Sequence, residues 1–283
     1  MSNLPVPKTY KLYLGGKFPR SESGRIQSLR NANEELIANV SKASRKDFRN
    51  AVVAARAATS SWQASSAYLK GQIIYRIAEV LQGRSEQFVA ELVAQGLDKK
   101  EAQEEVTASI DLLVYYAGWT DKYSAVFSTV NPVATPHFNF SRPVPQGVIV
   151  IIAPEKPSLQ GLLATALPAL VGGNTVVGIA SEIQPLCAIS FGEVLATSDV
   201  PAGVVNLLTG QRDELLETIA SHRDVDAVVA TGLSFEQLKS LETHAADNLK
   251  RTIHLSTEEA LRSDPQHILS LQETQTTWHP IGS

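Results

Sequence analysis

The sequence predicts an α/β fold in which a parallel, doubly wound sheet follows a block of helices. Three observations carry this reading. Between residues 148 and 255, five short apolar runs alternate with helical stretches, the pattern of strands buried on both faces and joined by crossover helices. Ahead of them, residues 44–123 repeat apolar side chains at intervals of three and four, the period of amphipathic helices. Between the two blocks, VFSTVNPVATPHFNFSRP alternates apolar and polar residues around prolines, as a hairpin does at a sheet edge or where it projects from the body.

In chain order, Tyr10–Phe18 (YKLYLGGKF) reads as a short strand with a turn at Gly15-Gly16, packed on the surface. Helices are expected over 44–63, 69–83 and 84–96, with Gly83 and Gly96 as stops, and a longer one over 99–123. Tyr115, Tyr116 and Trp119 on that helix read as core or interface packing. The hairpin of 125–142 presents an edge that invites another chain. Strands then follow at 148–152, 175–179, 204–208, 227–230 and 252–255, with helices at 159–171, 185–196, 213–220 and 235–246 between them. After Leu255 the sequence STEEALRSDPQH is polar and turn-like, and from Ile268 an apolar period near two resumes. The chain thus divides into 1–124, 125–143, 144–255 and 256–283.

With 283 residues the chain is long enough for one large or two modest domains that bury most of their apolar surface. A formal charge of −4 from interspersed acidic and basic residues gives no electrostatic footprint for nucleic acid or an anionic membrane, so neither partner is expected. The single cysteine, Cys187, excludes an intrachain disulfide and any cysteine-based metal cluster, and no metal ligands are assigned. Neither a spanning apolar stretch nor a signal-like leader is visible, and a cytoplasmic location is expected.

Several runs carry a resemblance to a known family: LYLGGKF, YYAGWTDKY (115–123), RPVPQGVIVIIAP (142–154), ALPALVGGNTVV (166–177), DVPAGVVNLLTG (199–210), ATG (230–232) and NLKRTIHL (248–255). In this order they resemble the aldehyde dehydrogenase superfamily over nearly all of residues 8–255. The resemblance implies a Rossmann-type cofactor domain with N-terminal helices and a projecting antiparallel oligomerisation hairpin. Oligomerisation contacts are expected from Val126, Val130, Phe138 and Phe140.

The functional positions of that family can be matched one by one. Where it has the asparagine that donates to the oxyanion, this chain has Lys156, beside Glu155, and the plain reading of the two is a solvated ion pair on a loop. Of the lysine and glutamate that hold the adenine ribose, the lysine position is Ile179 while Glu182 remains. Gly210 stands first in a set of close glycines, but Arg212 and Leu216 take the next two places, where side chains would fill the approach to a dinucleotide. Gly232 is kept at the pyrophosphate turn, but its serine is Leu233, which cannot donate a hydrogen bond, and a later glycine is Gln237. The general-base glutamate is His254. Imidazole is a competent base near neutral pH, although a histidine at a strand end is commonly structural. The family's nucleophilic cysteine lies beyond that glutamate in a further catalytic domain, and no cysteine follows His254. Cys187 reads as a buried, inert thiol.

Around Thr274–Trp278 the sequence resembles the family's last strand, which implies that Thr276 and Trp278 pair with a neighbour's hairpin; a disordered tail is the alternative. The expected function is that of a non-catalytic relative, a pseudoenzyme with no catalytic residue, that assembles with itself or with an active aldehyde dehydrogenase by strand addition. Two alternatives stand beside it. One is a sensor with a weakened NAD(P) site at Glu182, Gly210 and Gly232, the only way in which a cofactor is expected. The other is a residual oxidoreductase, or an enzyme using His254 and Lys156.

Overall fold

The computed structural model describes residues 8–31 and 33–282; residues 1–7, where the first segment assigned above begins, lie outside the described residues. The chain opens with β1 (Thr9–Tyr10), β2 (Ile26–Arg30) and β3 (Leu36–Ser41), a small sheet in which β3 lies between the other two. Leu14 and Lys17 bridge across the expected Gly15-Gly16 turn. The stretch is not surface packing, however. Leu12 and Tyr13 are buried, because Tyr13 exchanges both backbone hydrogen bonds with Leu207 (3.0 and 2.7 Å) at the edge of the main sheet. The β2–β3 hairpin was not legible in the sequence, since β2 is almost wholly exposed and its residues show no buried alternation.

Four helices follow: α1 (Arg45–Ala64), α2 (Ala67–Gly83), α3 (Ser85–Ala94) and α4 (Lys99–Ala117). α1 starts at a capping box in which Ser44 and Asp47 satisfy each other's backbone N–H groups. Asp47 is buried and also accepts from the Ser21 hydroxyl (2.8 Å) and the Glu22 N–H (3.0 Å), so it ties the first loop to the helix. α4 stops at Ala117 and does not reach Tyr123; turns through Gly118–Lys122 lead into a separate short helix, α5 (Tyr123–Phe127). Val126 therefore sits on that helix and not on the hairpin.

The hairpin itself is β4 (Thr129–Asn131) and β5 (His137–Pro145). Next come β6 (Val148–Ile152), α6 (Ser158–Val171), β7 (Thr175–Ile179), α7 (Leu186–Ala196), β8 (Val205–Leu208), α8 (Arg212–Ser221), β9 (Ala227–Thr231), α9 (Phe235–Ala246) and β10 (Arg251–Leu255). The five strands form one parallel sheet in the order β10-β9-β6-β7-β8, as the alternating pattern predicted. β6, β7 and β9 are buried along their whole length, which is why their sequences are continuous apolar runs. α6 covers one face with thirteen buried residues, and α1 packs on the other with Phe48, Val52 and Ala55.

The tail is ordered, not a disordered end. After β10, α10 (Thr257–Ala260) and α11 (Gln266–Leu269) fold back against α6 and bury Ala260, Ile268 and Leu271. β11 (Gln272–Pro280) then pairs antiparallel with β5 of the same chain, from Gln272↔Pro145 to Pro280↔His137, where a neighbour's hairpin was expected. The resulting arm is a three-stranded sheet, β11-β5-β4, with β5 in the middle. Asn174 fixes its root. Its carboxamide accepts from the Gly147 N–H (2.8 Å) and donates to the Leu271 carbonyl (3.0 Å), joining the β5–β6 link to the chain entering β11. Gly147 is required there: its φ is +139°, and a Cβ would meet Asp226 Oδ2 at 2.1 Å.

Candidate functional site

Ligands of doubly wound sheets bind outside the carboxyl ends of the strands. In this chain that rim is formed by the loops after β6, β7, β8 and β9, which bring Glu155, Glu182, Gly210, Arg212 and Gly232 to one end of the sheet. β6 delivers Ala153 and Glu155, and β7 delivers Ile179, Ser181 and Glu182 because it lies beside β6 in register.

Arg212 occupies the centre of this rim. Its side chain is 5% exposed, and its guanidinium forms an ion pair with Glu155 Oε1 at 2.7 Å and donates to the Ala153 carbonyl. Burial pushes the Arg212 pKa down, against the pull of Glu155, Glu182 and Asp213. Glu155 is thereby committed twice over, since its other oxygen accepts from the Ser181 hydroxyl (2.8 Å) and from the backbone N–H groups of Glu182 (2.9 Å) and Ile183 (3.1 Å). Glu182 is also engaged: its Oε1 accepts from the Arg212 N–H at 2.7 Å. A solvated Glu155–Lys156 pair is thus corrected. Glu155 pairs with Arg212, while Lys156 is exposed and forms no ion pair among the described residues.

The remaining sequence-assigned positions separate by location. Gly210 lies at φ +150° with its Cα against the loop before α1, where a Cβ would meet the Ala43 N at 3.0 Å; its packing accounts for it without a ligand. Gly232 is at φ +69° and faces open space. Leu233 packs against the apolar cluster under α1 and α8, and Leu216 is buried in that cluster. Ile179 is fully buried at the end of β7. Gln237 is spent on the capping box of α9 and on Asp213, to which it donates at 2.7 Å. His254 is exposed on β10, an edge strand opposite Ala230 of β9. Cys187 is buried among α3 and α7 residues; burial and Glu91 push its thiol pKa up, so it is not a thiolate nucleophile near neutral pH. No group of three or more potential metal ligands occurs among the described residues.

On the arm the expected contact residues divide between two faces. Val130 and Phe140 are direct partners across β4 and β5, and Phe138 stacks on Phe140 with ring centroids 5.5 Å apart, so these three share one face. The other face carries a polar ladder, Asn131 to Asn139 (2.6 Å) and Ser141 (2.9 Å) and Ser141 to Thr276 (2.8 Å), ending at Trp278 against His137.

The buried carboxylates Asp47, Glu91 and Glu105 escaped the sequence reading, and Glu105 lies nearest the rim's first helix. Glu105 accepts from the Leu159 N–H at 2.7 Å and from the Gln160 N–H at the weaker 3.4 Å, closing the first turn of α6. Burial raises its pKa and these N–H groups oppose the rise. Its place one turn from both Ala102 and Ser109, on the inward stripe of α4, is the signal that could have found it.

The residues 18–256 match the aldehyde dehydrogenase family model. Cytosolic aldehyde dehydrogenase 1 of Elephantulus edwardii is 33% identical over 264 residues, covering 89% of this chain and 52% of that protein. Cytosolic 10-formyltetrahydrofolate dehydrogenase of Mus musculus is 29% identical over 258 residues, 89% of this chain and 28% of that protein. Among solved structures, an NAD+ complex of aldehyde dehydrogenase from Bacillus cereus superposes with a TM-score of 0.83 at 26% identity, over 88% of this chain and 51% of that one. Aldehyde dehydrogenase C from Pseudomonas syringae, in complex with NAD+ and octanal, gives 0.80 at 28% identity over 87% and 50%. The chain spans about half the length of these aldehyde dehydrogenases. With the sheet order, the helices before it and the arm all in place, the chain belongs to the aldehyde dehydrogenase family.

Proposed function

We propose that this chain is a non-catalytic aldehyde dehydrogenase relative that acts by assembly, with itself or with an active member of the family. The observation that carries the reading is the Glu155–Arg212 pair. Glu155 and Arg212 satisfy one another at the rim, and Glu182, the one kept ribose contact, already accepts from the Arg212 backbone N–H. A dinucleotide would have to break a largely buried ion pair to enter, and Ile179 and Leu233 offer it no hydrogen bond in return. The residues present thus do not fit the cofactor. His254 and Lys156, both exposed and on different elements, do not form an acid–base pair in this reading.

The arm supports the assembly half of the proposal. Val130 is 68% exposed and Phe138 45%, an apolar face left largely open by the described residues, and β4 and β11 are the arm's two edge strands. A charge on this face is the clean test, because deletion of 268–283 would also remove Ile268 and Leu271 from the core. Phe138→Lys is expected to lower the assembled mass in light scattering, or to abolish capture of a full-length aldehyde dehydrogenase, with the melting temperature unchanged. An unaltered mass and unaltered capture would sink the proposal. No helix among the described residues is long and apolar enough to cross a membrane, and we place the protein in the cytoplasm with the relatives named cytosolic.

One observation favours a second reading, a weak NAD(P) binder: Gly232 keeps an open turn at the rim. Calorimetry with millimolar NAD and NADP separates the two, since the assembly reading expects no heat from either.

A further inference from the structure

At the far end of α8 from Arg212, a cavity of about 350 Å³ opens between α8 and the first turns of α1. Its walls carry Arg45, Arg49 and Arg223, with Glu217 as the one carboxylate. Arg45 approaches Glu217 only at 3.7 Å, and Arg49 and Arg223 have no carboxylate partner among the described residues. The chain as a whole is acidic, at −4, so this concentration of guanidinium groups does not follow from its composition.

Helix electrostatics account for only part of it. Arg223 lies just past the carboxyl end of α8, where free carbonyls favour a cation. Arg45 and Arg49 lie in the amino-terminal turns of α1, where the helix dipole disfavours one. Among the lining residues three guanidiniums face one carboxylate, an excess of two positive charges on the walls of a concave site, with Asp224 acting on His222 from outside the lining. Neutral donors stand beside them. Thr218 lines the cavity. The His222 ring, held edge-on to Phe48 of α1 at 5.9 Å, accepts from the Asp224 N–H at Nδ1 (3.3 Å), so its neutral form carries the proton on Nε2. Burial lowers the His222 pKa; Asp224 opposes the fall, and Lys250, Arg49 and Arg56 add to it.

We propose that this cavity binds a phosphate group, as inorganic phosphate or a phosphate monoester, through Arg45, Arg49 and Arg223 with Thr218 and His222 as neutral donors. Guanidinium forks match the oxygens of a phosphate two at a time, and the dianion balances the two unmatched charges. A bound dianion also favours the imidazolium, so phosphate and protonation of His222 reinforce each other. The site lies apart from the arm and the closed rim and stands whether or not the assembly reading does.

The test is titration of the full chain with inorganic phosphate and, separately, glycerol phosphate at low ionic strength, followed by calorimetry and by the His222 ring resonances. Saturable binding is expected, with the His222 titration midpoint moved upward by the ligand. Arg49→Gln and Arg223→Gln, both at exposed positions, should each weaken binding about tenfold, and tighter binding of one ligand names the source. Lys46→Gln is the control, because Lys46 is paired with Glu22 outside the cavity. The proposal is overturned if neither ligand saturates, if the Arg49/Arg223 double variant binds as well as the parent, or if Lys46→Gln weakens binding equally.

Discussion

Replacing Arg212 by methionine keeps most of the side chain's volume and removes its charge, so it isolates what the guanidinium contributes to Glu155 and Ala153. Removing one partner of a fully buried ion pair costs about 3–5 kcal/mol. The Glu155 side chain is 34% exposed and can rehydrate, which reduces that part to about 1–2 kcal/mol. The buried Ala153 carbonyl loses a charged donor, which adds about 1–3 kcal/mol. Urea unfolding should therefore show Arg212→Met destabilised by roughly 2–5 kcal/mol with an unchanged m-value. A double-mutant cycle with Glu155→Gln should return a coupling of about 1–2 kcal/mol, because the two side chains touch. An additive cycle, or a loss under about 0.5 kcal/mol, would refute the claim that this pair holds the rim closed.

Three further outcomes are expected. Ile268→Ala, in a fully buried residue of α11, should cost about 2–5 kcal/mol in the same assay; a cost near zero would mean that the tail does not pack on α6. Gly147→Ala puts a methyl where Asp226 Oδ2 stands, at a φ that side chains avoid, and should destabilise by about 2–4 kcal/mol, whereas a neutral effect would disprove the tight junction. For Asp47, burial alone would raise the pKa, but the N–H groups of Glu22 and Ser44 and the hydroxyls of Ser44 and Ser21 hold it below its ordinary 3.8. Its contribution is then complete above that value and lost as the pH falls through the lower folded value; Asp47→Ala should flatten the acid limb of the stability curve, and a limb of unchanged steepness would count against it.

The central strands were legible because burial on both faces leaves a signature that few other structures share: VIVII and TVVGI have nowhere to lie except inside a covered sheet. β2 and α11 left none. The first is exposed along almost its whole length, and the second is a four-residue helix with a single buried side chain, Ile268, just ahead of a segment that alternates as a strand. The rim was half legible. Through a resemblance the sequence assigned Glu182 and Arg212 to cofactor positions, with the unfavourable neighbours Ile179 and Leu233, but it read Glu155 only as a solvated partner of Lys156. It could not give the pairing, because the closest cation to Glu155 in sequence is Lys156, and only the adjacency of β6 to β7, with β8 next, brings Arg212 to it instead. Glu105 was hidden for the same reason: the N–H groups it serves belong to another helix.

The root of the arm has a geometric consequence. β5 is the middle strand of the arm and passes through Gln146 and Gly147 directly into β6, the middle strand of the main sheet, with Asn174 clamping both the link and the return of the chain at Leu271. Only two residues separate the two sheets, and hydrogen bonds on both sides of the junction restrain the angle between them. Any body that docks on the arm inherits that angle, and two bodies joined through it would be held in one mutual orientation by the short link at Gly147, far from the surface at which they meet.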